Sequence, residues 1–337
     1  MDIDAAMRVM RADAAAAAAA ARTLAEGGLV AFPTETVYGL GADARNARAV
    51  ARLFAAKGRP KFNPLIAHVS DLAQARRLAR FDPAAERLVA TFWPGPLTLV
   101  LPKPSDCPVS ELATAGLDTI AVRMPDHPIA REILAAFAAP VVAPSANRSG
   151  RVSPTAAAHV LADLEGRIDL LVDGGPTPVG IESTIVACLD GMAFLLRPGG
   201  LPRSRIEVVL GFALADPPQT QPQASPAAPG MLGSHYAPKT WLRLEARAVE
   251  PDEALLGFGP TLASGAERAA AVLNLSPAGD LVEAAANLFS HVRALDLAGA
   301  TAIAVMPIPD ADLGEAINDR LARAAAPRNQ QTSMGDQ

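Results

Sequence analysis

Aromatic residues make up only 4% of this chain, so its interior has to be built from alanine, leucine and valine. Cysteine is scarcer still. Cys107 and Cys188 stand far apart, and neither they nor the five histidines show zinc-ligand spacing, so no metal site is expected. Two small buried thiols in a reduced, cytoplasmic protein is the reading that fits them. Positive charge is not in surplus: the formal net charge is −5, which argues against a broad nucleic-acid-binding surface but leaves room for a local basic patch. Long apolar runs are missing as well. The alanine run 14–21 follows Asp13 with no basic segment ahead of it and is too short for a bilayer, so neither a membrane span nor a leader is expected. No GxxxxGK[ST] occurs, which removes the P-loop. Gly39-Leu40-Gly41-Ala42-Asp43-Ala44 matches GxGxxA after a strand. About twenty residues further on, however, where dinucleotide binding requires an acidic strand end, the chain has Lys57 to Lys61. A Rossmann nucleotide site is not expected there.

What is present points to two α/β domains. The 337 residues are half hydrophobic, enough for two cores of ordinary size. Thirty prolines and 25 glycines imply many turns rather than a helical bundle. Residues 13–26 read as an alanine-rich helix stopped by Gly27-Gly28. A strand at 29–32 follows, then a polar, glycine-rich loop over 33–41. Helices are expected at 47–56, 72–79 and 84–92, and strands at 65–69, 97–101, 119–122, 141–143, 170–172, 184–188 and 193–196. From 213 to 230 the composition turns to Ala, Pro, Gln and Ser, which reads as a linker. Beyond it, strands at 241–244, 255–258, 271–275 and 302–306 alternate with a helix whose apolar face carries Leu281, Ala285, Leu288, Phe289, Val292 and Leu295. The division is thus 10–210 for a larger first domain, 211–240 for the linker, 241–326 for a smaller domain and 327–337 for a disordered tail.

Polar clusters interrupt the apolar strands of the first domain, each where a strand should end, and ligands of open α/β sheets bind at carboxyl ends of strands. Lys57, Arg59 and Lys61 put three cations within five residues, a fit for triphosphate, although alone they would read as a solvated charge run. Ser145, Asn147, Ser149 and Ser153 offer neutral donors suited to ribose, phosphate or base edges, with turn chemistry as the bland alternative. Ser153-Pro154 is expected to open a helix. Arg123 closes an apolar strand, where a cation needs an anion, either a substrate carboxylate or nearby Asp126. No Ser-His-Asp or Cys-His arrangement is evident.

Phe32-Pro33-Thr34-Glu35-Thr36-Val37-Tyr38-Gly39-Leu40-Gly41, Lys57-Gly58-Arg59-Pro60 with Asn63-Pro64-Leu65, Ser145-Ala146-Asn147, Glu182-Ser183-Thr184 and Leu196-Arg197-Pro198-Gly199 resemble the YrdC-like domain. Pro229-Gly230-Met231 followed by His235-Tyr236-Ala237-Pro238 resembles the linker motif of the long, two-domain L-threonylcarbamoyladenylate synthases. The resemblance spans roughly residues 10 to 325 and rests on several long motifs in order. It implies a YrdC-like α/β domain with a twisted mixed sheet, followed by a smaller Rossmann-like α/β domain. It implies a cavity in which Arg59, Asn63, Thr119, Ser145, Ser153 and Arg197 contact ATP, joined from the linker by His235 and Tyr236. Thr36, His68, Arg123, Ser183 and the backbone at Ala143 would hold threonine, and Lys57 with Arg59 would serve catalysis at the phosphates. Many relatives carry a basic residue before the His-Tyr pair where this chain has Leu232-Gly233-Ser234, so a contact from linker to phosphate is not expected.

The activity implied is synthesis of L-threonylcarbamoyladenylate from L-threonine, bicarbonate and ATP, with pyrophosphate released, for N6-threonylcarbamoyladenosine at position 37 of tRNA. ATP would enter as substrate with Mg2+ held by phosphate oxygens and water, without any other cofactor. The product would pass to the tRNA threonylcarbamoyl transferase complex. The alternative is a YrdC-like module that binds double-stranded RNA without catalysis, and a weak RNA contact is compatible with either. A carbamoyl-transfer enzyme of hydrogenase maturation also uses a related domain, but its zinc-finger cysteines are absent from this sequence.

Overall fold

The computed structural model describes residues 7–216 and 236–327. Pro229-Gly230-Met231, His235 and the tail beyond residue 327 lie outside the described residues. Ten strands form one mixed sheet: β1 (Arg8–Arg11), β2 (Val30–Pro33), β3 (Tyr38–Asp43), β4 (Ile66–His68), β5 (Leu97–Pro102), β6 (Thr119–Arg123), β7 (Val141–Val142), β8 (Leu170–Asp173), β9 (Thr184–Leu189) and β10 (Met192–Arg197). Their order is β1-β8-β2-β3-β7-β4-β6-β5-β9-β10. Around it lie α1 (Ala14–Ala25), α2 (Ala47–Lys57), α3 (Leu72–Leu78), α4 (Pro83–Phe92), α5 (Glu111–Thr114), α6 (Pro128–Phe137), α7 (Ala157–Leu164) and α8 (Arg203–Leu210). A second, all-parallel sheet takes the order β11-β14-β12-β13, from β11 (Trp241–Arg243), β12 (Ala254–Gly257), β13 (Val272–Asn274) and β14 (Ala302–Val305). It carries α9 (Leu281–Asp296) and α10 (Leu313–Ala325).

Local chemistry explains the boundaries. Asp13 accepts the Ala16 amide to start α1, Asn46 accepts from Arg48 and Ala49 to start α2, and Asp280 does the same for α9. Gly58, at φ 60°, ends α2 in the left-handed conformation that costs glycine least. Alternation along β2 divides the core. Ala31 joins Leu40, Leu53, Leu97 and Leu99 on one face of the sheet. Val30 and Phe32 pack on the other with Leu24 of α1 and Ile133 of α6.

The loop expected over 33–41 is a correction. Only a tight turn separates the strands, because β3 begins at Tyr38 and pairs antiparallel with β2, Val30 opposite Gly41 and Phe32 opposite Gly39. These glycines serve packing rather than a phosphate loop. A Cβ on Gly41 would lie 2.8 Å from the Phe32 ring, and one on Gly39 3.2 Å from the Ala143 Cβ. Glycine in a strand interior permits this close approach.

The two sheets share apolar packing. Val37, Val152 and Ile181 of the first domain lie in one buried cluster with Leu256, Leu288, Phe289, Ile303 and Ile317 of the second, and Tyr236 lies among them.

Candidate active site

Strand ends and loops converge on one cavity. The β2–β3 turn supplies Thr36 and Val37; β4 supplies Ile66 and His68; β6 ends in Arg123. Ala143, Pro144 and Ser145 follow β7, Glu182 and Ser183 lead into β9, and Arg197 ends β10. Arg59 follows α2, and Tyr236 arrives from the segment before β11. The room left between them is about 50 Å3, against the ~300 Å3 at which ligand pockets usually begin.

Charge dominates the walls. Arg123 is buried and donates to Glu35 at 2.6 Å, while the Asp126 amide donates to the other Glu35 oxygen at 3.1 Å. The partner of Arg123 is therefore Glu35 and not Asp126, which offers that carboxylate only its main chain. Arg59 donates to the Asn63 and Pro64 carbonyls at 3.3 and 3.0 Å. Burial pulls its pKa down to about 10, which still leaves it charged at neutral pH. Arg197 donates to the Ser183 carbonyl at 2.8 Å and to its hydroxyl at 3.2 Å, and that hydroxyl pairs with Thr98 at 2.8 Å. His68 is 2% exposed, with Nδ1 3.1 Å from the Ile66 carbonyl. Burial first, then the Arg123 charge, pushes its pKa down to about 3, so the imidazole is neutral throughout the ordinary pH range.

Of the residues expected to serve the site, Thr36, Arg59, His68, Arg123, Ala143, Ser145, Ser183, Arg197 and Tyr236 line this cavity together. Lys57, Asn63, Thr119 and Ser153 are not among its lining residues. Lys57 is buried, and its ammonium donates to the carbonyls of Ser145 and Asn147, so it fastens the Ser145 loop instead of presenting an exposed cation. Asn63 is 1% exposed, and its Oδ1 has no hydrogen-bond partner among the described residues. Thr119 opens β6 at the end opposite Arg123, ~13 Å away along the strand. The helix expected from Ser153-Pro154 starts later, at Ala157. Ser153 is fully buried and donates to Glu182, so its hydroxyl is engaged away from any helix cap. His235 lies outside the described residues.

Three residues were given no role from the sequence. Glu35 and Glu182 sit inside quoted motifs, but a motif does not say which carboxylate meets which arginine. Arg320 had no local signal at all, being one of several charges on a C-terminal amphipathic helix. It is 1% exposed, reaches Glu182 at 2.9 Å and the Pro198 carbonyl at 2.8 Å, and lies 5.2 Å from the Tyr236 ring centre. Burial pushes the Glu182 carboxyl up, but Arg320, Arg197 and the Ser153 hydrogen bond outweigh it and hold it below its usual value.

A mixed α/β sheet whose strand ends gather arginines around a small polar cavity, followed by a parallel α/β domain, defines a YrdC-like protein with a C-terminal extension. Residues 22–199 match the Sua5–YciO–YrdC family, described as telomere recombination, and residues 201–326 match the threonylcarbamoyl-AMP synthase C-terminal domain. The threonylcarbamoyl-AMP synthase of Bacillus subtilis is 42% identical over 326 residues, covering 92% of this chain and 93% of that one. Its counterpart from Pyrococcus abyssi is 44% identical over 92% of this chain and 94% of its own. The crystal structure of P. abyssi Sua5 complexed with L-threonine superposes with a TM-score of 0.85 at 38% identity, covering 95% of this chain and 97% of that one. This chain belongs to the threonylcarbamoyl-AMP synthase family, in its two-domain Sua5 form.

Proposed function

We propose that the cavity condenses L-threonine, bicarbonate and ATP into L-threonylcarbamoyladenylate, releasing pyrophosphate and water. The observation that carries this reading is the convergence of Arg59 and Arg197 with Arg123 and neutral His68 around one cavity. Two kinds of anion, a polyphosphate and a carboxylate, can then meet within bonding reach. The threonine amine and bicarbonate form an N-carboxylate, whose oxygen attacks the α-phosphorus while the bond to pyrophosphate breaks. Such a transfer needs alignment and charge neutralisation more than a protein nucleophile.

Arg123 takes the threonine carboxylate, with Thr36, Ser183 and the Ala143 backbone around the side chain. Arg59, Arg197 and Ser145 face the nucleotide, and Asn63, whose main-chain carbonyl accepts from Arg59, is the further candidate to contact it. Magnesium travels with the triphosphate. Glu35 and Glu182 are engaged by Arg123 and Arg320, and no cluster of three metal-binding side chains occurs among the described residues. Once the substrates fill the cavity beside Tyr236, water is kept from a labile adenylate. The product is handed on in the cytoplasm to a transferase that acts on tRNA.

The test is pyrophosphate release by the purified chain. It should require threonine and bicarbonate together with ATP, and release independent of threonine would contradict the reading.

A further inference from the structure

Glu182 lies in the first domain, yet its carboxylate is held from the second. Arg320, on α10, donates through Nε to Glu182 Oε2 at 2.9 Å and through Nη1 to the Pro198 carbonyl at 2.8 Å. Asp319 fixes the same Nη1 at 2.8 Å. The other Glu182 oxygen accepts from Ser153. The Glu182 carbonyl accepts from the Gly200 amide at 2.9 Å, and the next residue, Ser183, lines the cavity and receives Arg197. The guanidinium of Arg320 also faces the Tyr236 ring at 5.2 Å, while Phe289 of α9 stacks on that ring with centroids 5.6 Å apart. Both of these ring contacts come from helices of the second domain.

Resting on the proposed function, we infer that Arg320 is a positioning residue for this cavity. It fixes the Glu182 carboxylate, and with it the Ser153 and Ser183 hydroxyls, and it seats Tyr236 at the cavity wall. The second domain is then a working part of the site and not an appendage. A plain domain staple would be content on the surface. This arginine is 1% exposed and reaches across the domain boundary to a carboxylate 8% exposed, with Nε and Nη1 engaged and Nη2 without a hydrogen-bond partner among the described residues, a costly arrangement to keep buried.

The charged and titratable groups facing Glu182 are Arg320 on α10, Arg197 at the end of β10 and Tyr236, while Asp319 acts on Arg320 and Tyr236. With Arg320 removed, only Arg197 and the Ser153 hydrogen bond still oppose burial at Glu182, and the balance moves toward its protonated form. Arg320→Ala should therefore lose at least tenfold in kcat near pH 7 and recover part of it as pH rises and Glu182 ionises. Arg320→Lys keeps the charge and should keep the wild-type pH profile with a smaller loss. Glu182→Gln should lower kcat without pH dependence.

A readout free of turnover accompanies these. The thermal midpoint of Arg320→Ala should fall as pH rises, because a carboxyl with a raised pKa opposes folding once it ionises, and adding Glu182→Gln should abolish that fall. An Arg320→Ala chain with wild-type kinetics would overturn the proposal. So would an equal loss of kcat at every pH, or an Arg320→Lys chain as damaged as the alanine variant. If Arg320→Ala does not fold, Arg320→Lys and Glu182→Gln decide: wild-type kinetics in Glu182→Gln contradicts the inference, and a pH-independent loss beside a preserved Lys profile supports it. A wild-type chain that makes no product counts against the proposed function instead, and the thermal midpoints still judge Arg320.

Discussion

The parallel register of β4 and β6 sets His68 opposite Arg123, and this pair shows how much a single residue can and cannot tell in advance. That Arg123 needed an anion followed from a cation closing an apolar strand. Its buried protein partner did not, because Glu35 is 88 residues away and only the fold brings it near. Lysine cannot serve Glu35 and a substrate carboxylate with one planar fork. Arg123→Lys should raise the threonine KM roughly tenfold or more, the order of a lost charge-assisted hydrogen bond, and leave the ATP KM within about twofold. Initial rates over both substrates check this; equal changes in both would place Arg123 in a structural role. His68 makes a pH prediction. Its pKa stands near 3 in the folded chain against 6.5 in the reference state, so below about pH 6.5 the unfolded chain takes up a proton that the native one refuses. The stability tied to neutral His68 is complete above 6.5 and disappears as pH falls toward 3, on the order of a few kcal/mol in all. Denaturant midpoints at pH 7.5 and pH 5 should show the fall, and His68→Gln should show a smaller one.

Among the elements, those with strong periodicity or long apolar runs were legible: α1, α2, α4, α9 and nearly every strand of both sheets lie within a residue or two of their expected places. β3 was not, because Gly39 and Gly41 signal a turn locally, whereas here they let a buried strand approach Phe32 and Ala143. α6 and α10 were passed over although Pro128 and the apolar face of 313–325 were present in the sequence, and with α10 went Arg320. Backbone proximity, invisible in sequence, also explains Gly199. A Cβ there would lie 2.4–2.5 Å from main-chain atoms of Glu182, Ser183 and Thr184. Gly199→Ala should destabilise the chain by ~1–3 kcal/mol and, because the displaced segment carries Ser183, lower kcat at least tenfold. Gly41→Ala meets a side-chain ring at 2.8 Å instead, and should cost stability with less effect on turnover. Thermal melts beside kinetics separate the two, and an active Gly199→Ala chain would contradict the placement of the Glu182–Ser183 segment.

Across the whole molecule, the domains are joined by apolar packing and by charges: Arg293 of α9 donates to buried Asp163 at 2.7 Å, and Arg203 of α8 to Glu315 at 2.8 Å. Tyr236 belongs to both halves, lining the cavity while packed against Phe289. Its alanine variant should therefore lose ~3 kcal/mol or more of stability as a buried aromatic, along with product formation. Tyr236→Phe should retain the stack and most of the stability. Whether one cavity joins three substrates can be read by following the bicarbonate carbon. The full chain is incubated with ATP, threonine and 13C-bicarbonate, and the products are read by mass spectrometry. An adenylate one mass unit heavier than its unlabelled form is expected, with pyrophosphate equal to it in amount. Pyrophosphate without a labelled adenylate, or an adenylate of unlabelled mass, would contradict it.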